Sequence, residues 1–348
     1  MNDCISLIER LGQERHLSSM EYALLLSPSL PDETVAMLTH AARKLTDATF
    51  GNKVRVRGLL EITNVCRNNC LYCGLRRDNR DIRRYTLPDD VILSACQSAY
   101  ATGFRTFVLQ GGENPALTGE RISSLVGRIH TEFPDAAITL SLGEWPDDAL
   151  LSFRQAGASR YLLRHETHNQ AHYGQLHPYD MSLDNRLRCI ATLKRLGFQT
   201  GTGIMVGSPY QTTDHIIEDL HYMHSIQPEM IGIGPFISNS ATPFAKHPHG
   251  SIELTTRLIS ILRLMFPNAN IPSTTALASL SPDGRNKGLA AGANVVMPNI
   301  TPMDYRKDYS IYDNKAAYGS EAAEGLALLA AEVAEIGLEL TTEKGDYK

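Results

Sequence analysis

Apolar runs and helical repeats alternate along the chain from about residue 50 onward. Eight short runs rich in branched apolar residues have the length and composition of buried strands. The predicted strands are Val54–Ile62, Thr106–Leu109, Ile138–Leu142, Arg160–Leu163, Gln199–Met205, Met230–Ile233, Ile271–Thr274 and Asn294–Met297. Segments with apolar residues three and four positions apart lie between them and predict helices. These include Val91–Thr102, Arg121–Phe133, Leu183–Leu196, Ile216–Ile226 and Leu254–Met265.

Glycine marks the end of several of these helices. Gly103, Gly157, Gly197 and Gly292 each follow a helical segment and precede a predicted strand by a few residues. Glycine is common there because it takes the left-handed conformation that ends a helix. Repeated strand–helix units predict an α/β fold, a complete (β/α)8 TIM-type barrel. A doubly wound open sheet gives the same alternation, but polar motifs follow nearly every strand, and a barrel brings them together.

The two ends of the chain have helical patterns. Residues 1–48 are predicted as an N-terminal helical segment, residues 49–310 as the barrel, and residues 311–348 as a C-terminal helical extension. The candidate helices of the ends are Asp3–Glu14, a short one after Ser18 and Ser19, Asp32–Thr46 and Glu321–Ile336. Both ends are expected to pack on the barrel rather than to carry chemistry.

Composition narrows the class of protein. The 348 residues suffice for one large barrel, and contents of 43% hydrophobic and 20% charged residues are ordinary for a globular enzyme. A formal net charge of −5 gives no reason to expect nucleic acid or an anionic membrane as partner. The chain has no run of eighteen apolar residues, and its start lacks the pattern of a signal peptide. We therefore expect a cytoplasmic protein.

Cys66, Cys70 and Cys73 follow the first predicted strand with the spacing C-x-x-x-C-x-x-C, and Tyr72 precedes the last of them. Iron–sulfur clusters are normally held by four Cys thiolates, so three thiolates leave one iron with an open coordination position. An open position is typical of a reactive metal centre. The alternatives are a zinc site or buried thiols, but zinc sites usually contain a second Cys or His pair nearby.

The other three cysteines have no partner in the pattern. Cys96 and Cys189 lie in helical segments and are expected to pack as small hydrophobic residues, and Cys4 is isolated. Six cysteines in 348 residues do not indicate a disulfide framework. His168 and His172 lie four residues apart, but exposed surface is a better interpretation for them than a metal pair.

Polar residues also follow the second and third predicted strands. Gly111 and Gly112 allow backbone to approach a ligand closely, and the carboxylate of Glu113 can hold an ammonium group. Ser141 opens the segment Ser141-Leu142-Gly143-Glu144 after the third strand. Since the carboxyl ends of barrel strands form the functional face, these residues are candidates for ligand binding.

Further candidates for ligand binding lie in or after the fourth and fifth predicted strands. Glu166 can accept both hydroxyls of a ribose, whereas Arg164 next to it fits a salt-bridged loop equally well. Arg186, in the following helix, suits a carboxylate because its guanidinium binds bidentately and stays charged. Met205 lies in an apolar segment that fits either an adenine-lining wall or the core.

The cysteine spacing with its tyrosine resembles the motif of the radical S-adenosylmethionine (SAM) enzymes, and the Gly-Gly-Glu segment resembles the one that binds the SAM amino group there. Longer segments resemble the HydE family of FeFe-hydrogenase maturases. These segments are 64–79, Ser141–Pro146, Arg160–Thr167, Gly232–Ile237 and Ala293–Asn299. The resemblance covers residues from about 20 to 315 and is more specific than the kinship with biotin synthase and methylornithine synthase.

This resemblance implies one [4Fe–4S] cluster held by Cys66, Cys70 and Cys73, with SAM on the remaining iron. The other residues that it implies for SAM are Tyr72, Gly111, Gly112, Glu113, Ser141, Glu166, Arg186 and Met205. It implies an enzyme that reductively cleaves SAM and acts on a small iron- or cysteine-bearing precursor of the hydrogenase subcluster. Other hydrogenase maturases and an electron donor are the partners that it suggests.

On the substrate side, the resemblance suggests Arg164, Thr274, Thr275, Tyr305 and Arg306. For Tyr305 and Arg306, a surface turn anchored by a tyrosine is an equally good interpretation. Some relatives carry a second cysteine group near the C-terminus, but this chain has no cysteine after position 189, so we expect a single cluster.

Two other functions remain open at this point. A radical SAM amino-acid mutase or a biotin synthase-like enzyme would share the cofactors and differ in substrate. A non-catalytic iron–sulfur carrier would share only the cluster. The residues expected around SAM favour an enzyme over a carrier.

Overall fold

The computed structural model describes residues 2–315 and 322–347. The helices are α1 Asn2–Glu14, α2 Ser19–Leu26, α3 Asp32–Phe50, α4 Asp89–Ala101, α5 Gly119–Glu132, α6 Asp147–Gln155, α7 Gln170–Leu176, α8 Leu183–Arg195, α9 Thr213–Ile226, α10 Ile252–Met265, α11 Thr275–Leu280, α12 Gly284–Ala290, α13 Met303–Arg306 and α14 Ala322–Ala334. The strands are β1 Lys53–Val56, β2 Gly58–Thr63, β3 Thr106–Gly111, β4 Ala137–Ser141, β5 Ala158–Leu162, β6 Gln199–Thr202, β7 Met205–Val206, β8 Met230–Ile231, β9 Gly234–Pro235, β10 Val295–Val296 and β11 Glu339–Thr341.

Parallel pairing joins the strands in the order β2, β3, β4, β5, β6 and β8. Single parallel bridges then join Met230 to Asn270 and Pro272 to Val295. β10 pairs in parallel with β1, and β1 and β2 are separated only by Arg57. The pairing therefore runs around a ring, and the prediction of an α/β fold of TIM-barrel type is confirmed.

Several predicted strands differ from the structure in detail, and Val54–Ile62 is divided into β1 and β2 at Arg57. Of residues 271–274, only Pro272 forms a bridge, so this side of the ring is held by fewer backbone hydrogen bonds. The predicted strand Gln199–Met205 is divided into β6 and β7 at Gly203, whose φ is +153°. A Cβ atom there would lie 2.0 Å from the carbonyl oxygen of Gly232, so only glycine allows this contact between neighbouring strands.

The glycine pattern correctly predicted how helices end. Gly103, Gly157, Gly197 and Gly292 have φ values of +100°, +117°, +75° and +111°. Several helices begin at a side-chain cap: the hydroxyls of Thr118, Ser182, Thr212 and Ser251 accept backbone N–H groups three residues later. Caps and glycines thus fix where each helix leaves and rejoins the barrel.

The chain ends pack on the barrel. Helices α1 and α3 pack against α10, and α2 packs against α9. The C-terminal region contains α14, but it also adds the strand β11, which pairs with β1 and which the helical pattern did not predict. Glu321, the predicted start of the last helix, lies outside the described residues. No helix in residues 2–315 and 322–347 has the length and apolar character needed to cross a membrane.

Candidate active site

The three motif cysteines lie on an irregular loop that follows β2. Backbone hydrogen bonds connect this loop to other parts of the chain. Arg67 N donates to Glu113 O at 2.8 Å, and Leu71 N donates to Leu176 O at 2.9 Å. Gly74 N donates to Ile311 O at 2.9 Å. The loop is therefore positioned from three sides rather than by its own secondary structure.

Arg84 holds the same loop from within. Its guanidinium donates to the carbonyl oxygens of Asn64, Leu75, Arg76 and Asn79 at 2.7–2.9 Å. Burial lowers the pKa of Arg84, but four acceptors around one guanidinium compensate for lost hydration. This arginine therefore fixes the backbone before Cys66 and the backbone after Cys73.

Burial raises the pKa of all three thiols, to about 12 for Cys73, and the neighbouring thiols add to the effect for Cys70 and Cys73. Without metal the thiols are therefore neutral, and metal binding displaces their protons. In the described part of the chain, no three or more His, Cys, Asp or Glu side chains are grouped around a single metal position. Cluster cysteines bind different irons, so they need not converge on one point.

The two glycines before Glu113 let the chain approach itself closely. A Cβ atom at Gly112 would lie 2.4 Å from Val65 O and 2.7 Å from Cys66 Cβ. A Cβ atom at Gly111 would lie 2.8 Å from Thr63 Cγ2. In the described structure these glycines therefore bring β3 against the cysteine loop, which is a packing role that the sequence pattern did not reveal.

Glu113 lies between the cysteine loop and the loop after β4. Its carboxylate accepts from the Arg67 guanidinium at 3.0 Å and from Glu144 N at 3.2 Å. Burial raises its pKa, and the neighbouring Glu144 raises it further, against the lowering effect of Arg186. Because burial and Glu144 disfavour the negative charge of Glu113, a ligand ammonium group beside this half-buried carboxylate would be a favourable partner.

Arg186 lies in the first turn of α8 and contacts Glu144, which lines a cleft together with Glu113. Its Nε donates to Glu144 Oε1 at 2.6 Å, and its Nη1 donates to Arg164 O at 3.1 Å. Burial opposes its charge, but Tyr173, Glu144 and Glu113 around it raise its pKa above the ordinary value. A permanent cation is thus held at the cleft by a carboxylate that the sequence analysis did not single out.

Glu166 has an unusual backbone and an unpaired oxygen. Its φ is +66°, and its side chain is 6% exposed. One carboxylate oxygen, Oε1, accepts from Arg164 at 2.9 Å and 3.0 Å. The other oxygen, Oε2, is buried and has no hydrogen-bond partner among the described residues. A buried acceptor of this kind fits a ligand hydroxyl.

A cleft of about 420 Å³ joins several of these groups. Its lining includes Arg67, Glu113, Glu144, Met181 and Ser182. The Met181 sulfur lies 3.7 Å from Cys70 Sγ, so the cleft reaches the cysteine loop. Ser141, at the end of β4, is half-buried.

An apolar wall contains two further predicted residues. Met205 is buried with Leu176, Phe236 and Phe244, and Tyr72 packs on this cluster. The Tyr72 hydroxyl lies 3.1 Å from His177 Nε2, and burial lowers the pKa of His177 to about 3. Met205 therefore packs in a small apolar cluster against the cysteine loop.

The residues predicted for the substrate side are divided between three places. Thr275 and Arg306 line a second cavity of about 450 Å³, and Thr274 directly precedes Thr275. Tyr305 instead packs on Tyr85, with ring centroids 5.1 Å apart. Arg164 pairs with Glu166, so the structure places it beside the expected SAM site.

A buried ion pair beside the second cavity was missed by the sequence analysis. Glu61 is fully buried in β2; its carboxylate pairs with Lys315 and accepts from Asn299 Nδ2 at 2.8 Å. Lys315 and Asn299 line the cavity, as does Tyr309, whose ring centroid lies 4.8 Å from Lys315 Nζ. A carboxylate in the middle of an apolar strand was the signal that could have revealed this site.

The donor set fits a cluster with a chelating ligand. Three thiols lie on one loop, and Glu113, Arg186 and the unpaired Glu166 oxygen offer partners for an ammonium, a carboxylate and a hydroxyl. These groups complement the polar groups of SAM.

Comparisons with known proteins agree with this chemistry. The model of the Radical SAM superfamily matches residues 60–223. The [FeFe] hydrogenase maturase subunit HydE of Thermotoga maritima is 45% identical over 265 residues, which are 76% of this chain and 75% of that protein. The 3-methylornithine synthase of Methanosarcina acetivorans is 30% identical over 300 residues, 85% of this chain and 83% of that protein.

Solved structures support the same fold. The methylornithine synthase PylB has a TM-score of 0.83 at 26% identity, covering 96% of this chain and 97% of that one. The maturase HydG has a TM-score of 0.83 at 17% identity, covering 98% and 76%, and supports the fold alone. The radical SAM family uses a [4Fe–4S] cluster and SAM, and these are the cofactors of this enzyme. The chain belongs to the HydE family of radical SAM enzymes.

Proposed function

We propose that this enzyme acts in the maturation of FeFe-hydrogenase, where it reductively cleaves SAM and attacks a small iron- and cysteine-bearing precursor of the active-site subcluster. The observation that carries the proposal is the 45% identity to the HydE subunit of Thermotoga maritima over three quarters of both chains. The need for reduced thiols makes the cytoplasm its proposed location.

Different site residues would bind the cluster and the different polar groups of SAM. Cys66, Cys70 and Cys73 would hold the cluster, which would supply the electron for reductive cleavage of SAM. Glu113 would accept the ammonium group, and Arg186 would bind the methionyl carboxylate. Glu166 Oε2 would accept ribose hydroxyls, since it lacks another partner among the described residues.

The second cavity is the proposed substrate site. Among the described residues, its lining contains the basic residues Arg285, Arg306, Lys307 and Lys315 and no acidic residue, which supports an anionic ligand, although Lys315 and Arg285 also pair with Glu61 and Glu332. Tyr309 connects it to the cluster side, because its hydroxyl accepts from Gln110 Nε2 at 3.2 Å, next to the glycine pair. The ligand that we propose for this cavity is a cysteine-derived iron complex with a free carboxylate.

The decisive experiment is anaerobic activation of apo FeFe-hydrogenase in a lysate that contains the other maturases. We expect hydrogenase activity only when this chain is added, and none when Cys70→Ala replaces it. Cys96→Ala is the matched control, because Cys96 is a buried helical thiol outside the site. Full activity without the chain would contradict the maturase role.

A second candidate is an amino-acid mutase that uses the same cofactors. It is favoured by the 30% identity to 3-methylornithine synthase and by the TM-score of 0.83 to the PylB structure. Incubation of the reduced enzyme with SAM and single amino acids separates the two functions: a rearranged amino acid would support the mutase. No deoxyadenosine under strong reductant would instead indicate an iron–sulfur carrier.

A further inference from the structure

Glu166, whose carboxylate is proposed to bind SAM, has a backbone conformation that needs stabilising contacts from outside its own loop. Its φ of +66° lies in the left-handed region, which non-glycine residues rarely adopt. The backbone between β6 and β7 holds it on one side, because Glu166 N donates to Gly203 O at 3.1 Å and Glu166 forms a bridge with Ile204. These two contacts fix only residue 166 itself.

A single carboxylate on α9 holds the residues on both sides of Glu166. Asp219 Oδ1 lies 3.2 Å from His165 Nε2 and accepts the backbone N–H of His168 at 2.5 Å. Both Asp219 and His165 have fully buried side chains. Because a carboxylate only accepts, His165 Nε2 carries the proton in this pair.

The His165 ring continues the chain of hydrogen bonds to β6. Its Nδ1 lies 2.7 Å from Thr202 Oγ1, so the hydroxyl donates to this nitrogen when the other carries the proton. Thr202 is fully buried and directly precedes Gly203, the acceptor of the Glu166 N–H. Asp219, His165 and Thr202 therefore link α9, the turn of Glu166 and β6.

Two other residues of α9 support the same turn. Glu218 accepts from the Asn169 side chain at 3.1 Å, and Tyr222 stacks on the ring of His168 with centroids 4.5 Å apart. Three positions of one helix thus contact the turn 165–169, although none of them lines the SAM cleft. None of these contacts is needed to begin or end α9, which has its own cap at Thr212.

We infer that Asp219 is a positioning residue for SAM: through His165 and His168 it holds Glu166 in the conformation that directs Oε2 at the ribose hydroxyls. The inference rests on the proposed ribose contact of Glu166. The carboxylate of Asp219 lies on the far side of the turn and does not touch SAM, but it sets the affinity of the enzyme for the ribose.

The test uses equilibrium binding to the anaerobic, cluster-loaded enzyme without reductant. The probes are SAM and its 2′-deoxy analogue, which lacks one ribose hydroxyl. We expect the wild-type enzyme to bind SAM about tenfold more tightly than the analogue. In Asp219→Ala, the affinity for SAM should fall about tenfold, while the affinity for the analogue changes less than threefold, so the preference largely disappears.

Three further variants make the result specific. Thr202→Val removes the other partner of His165 with little change of volume and should reduce the preference two- to fivefold, even where Asp219→Ala folds poorly. Glu166→Gln should reduce the preference to the same level as Asp219→Ala, and the double variant should lose no more. Asp214→Asn, at an exposed position of α9, should retain the wild-type preference.

Two results would overturn the inference. If Asp219→Ala and Thr202→Val keep the tenfold preference, or weaken both ligands equally, Asp219 has only a structural role and the proposed function stands. A wild-type enzyme with no preference would refute the ribose contact of Glu166 itself, and the inference with it.

Discussion

At the scale of single residues, burial sets the chemistry of the site. Without metal, the three thiols are neutral because burial raises their pKa, while the surrounding acidic groups keep Arg186 charged. Tyr72 between two of the cysteines is buried against His177, whose pKa burial lowers to about 3. Protonation states in this site therefore follow from packing and not from residue type alone.

Replacement of one cluster cysteine should remove the cofactor and leave the fold. We expect about four irons per wild-type chain after reconstitution, since the sequence has one cysteine trio. Cys70→Ala should lose most of the iron and all SAM cleavage, whereas Cys96→Ala should keep both. Iron analysis and deoxyadenosine assays check this, and a cluster signal that survives in the triple Cys66/Cys70/Cys73→Ala variant would contradict the single-cluster prediction.

His177 should make the protein less stable in mild acid. In the folded state its pKa is about 3, against about 6.5 when unfolded, so between these values only the unfolded chain binds the proton. Stability should therefore fall with decreasing pH below about 6.5, by about 1 kcal/mol per pH unit from this group. Urea unfolding at pH 7, 6 and 5 should show a shallower decline in His177→Gln. Parallel declines in the two proteins would contradict the assignment.

At the scale of elements, the loops after the strands bring the proposed ligand-binding groups together. Glu113 follows β3, and Glu166 follows β5. Between them, Gly143 follows β4 and has φ of +76°. A Cβ atom on Gly143 would lie 2.1 Å from Glu113 Cγ. The conformation of the loop after β4 thus depends on the side chain of Glu113, which belongs to the loop after β3.

Gly143→Ala should weaken SAM binding by displacing Glu113. The added methyl group meets Glu113, and the left-handed backbone disfavours alanine by about 1 kcal/mol or more. We expect at least a tenfold loss of SAM affinity in anaerobic equilibrium binding. Gly127→Ala in α5, where no atom lies within 4 Å, is the control and should bind SAM normally. Unchanged SAM affinity in Gly143→Ala would exclude this loop from the site.

At the scale of the whole molecule, the C-terminal tail packs against the amino ends of the strands. β11 pairs with β1, and the residues after it reach Arg160, a fully buried arginine of β5. Arg160 Nη2 donates to Lys344 O and to Asp346 Oδ1, both at 2.8 Å. The last residues of the chain thereby neutralise a cation inside the barrel.

Loss of the Asp346 carboxylate should destabilise the whole barrel. Asp346→Asn leaves Arg160 buried without its counterion, and we expect a cost of about 1–3 kcal/mol, reduced because Asp346 is 42% exposed. Urea unfolding measures the effect. Asp47→Asn, which breaks an exposed helical pair with Arg43, should change stability by less than about 0.5 kcal/mol. Equal effects of the two variants would show that the tail does not stabilise the barrel.

The sequence by itself determined the barrel-type fold and the cysteine motif that is predicted to hold the cluster. Strand and helix periodicities are local patterns of two and 3.6 residues, and the three cysteines lie within eight positions of one loop, so both can be read without knowing distant contacts. Glu113, Glu166 and Arg186 were identified because each follows a predicted strand or begins the next helix, and the structure brings the three to one region.

The tertiary structure alone decided which residues support these groups. Glu144 holds Arg186 across 42 positions, Lys315 pairs with Glu61 across 254, and Asp346 pairs with Arg160 across 186. No local periodicity encodes such pairs, because they depend on which strand ends become neighbours when the ring closes. Gly111 and Gly112 show the same limit: their pattern predicted ligand contact, and the structure adds that they let the end of β3 approach Thr63, Val65 and Cys66.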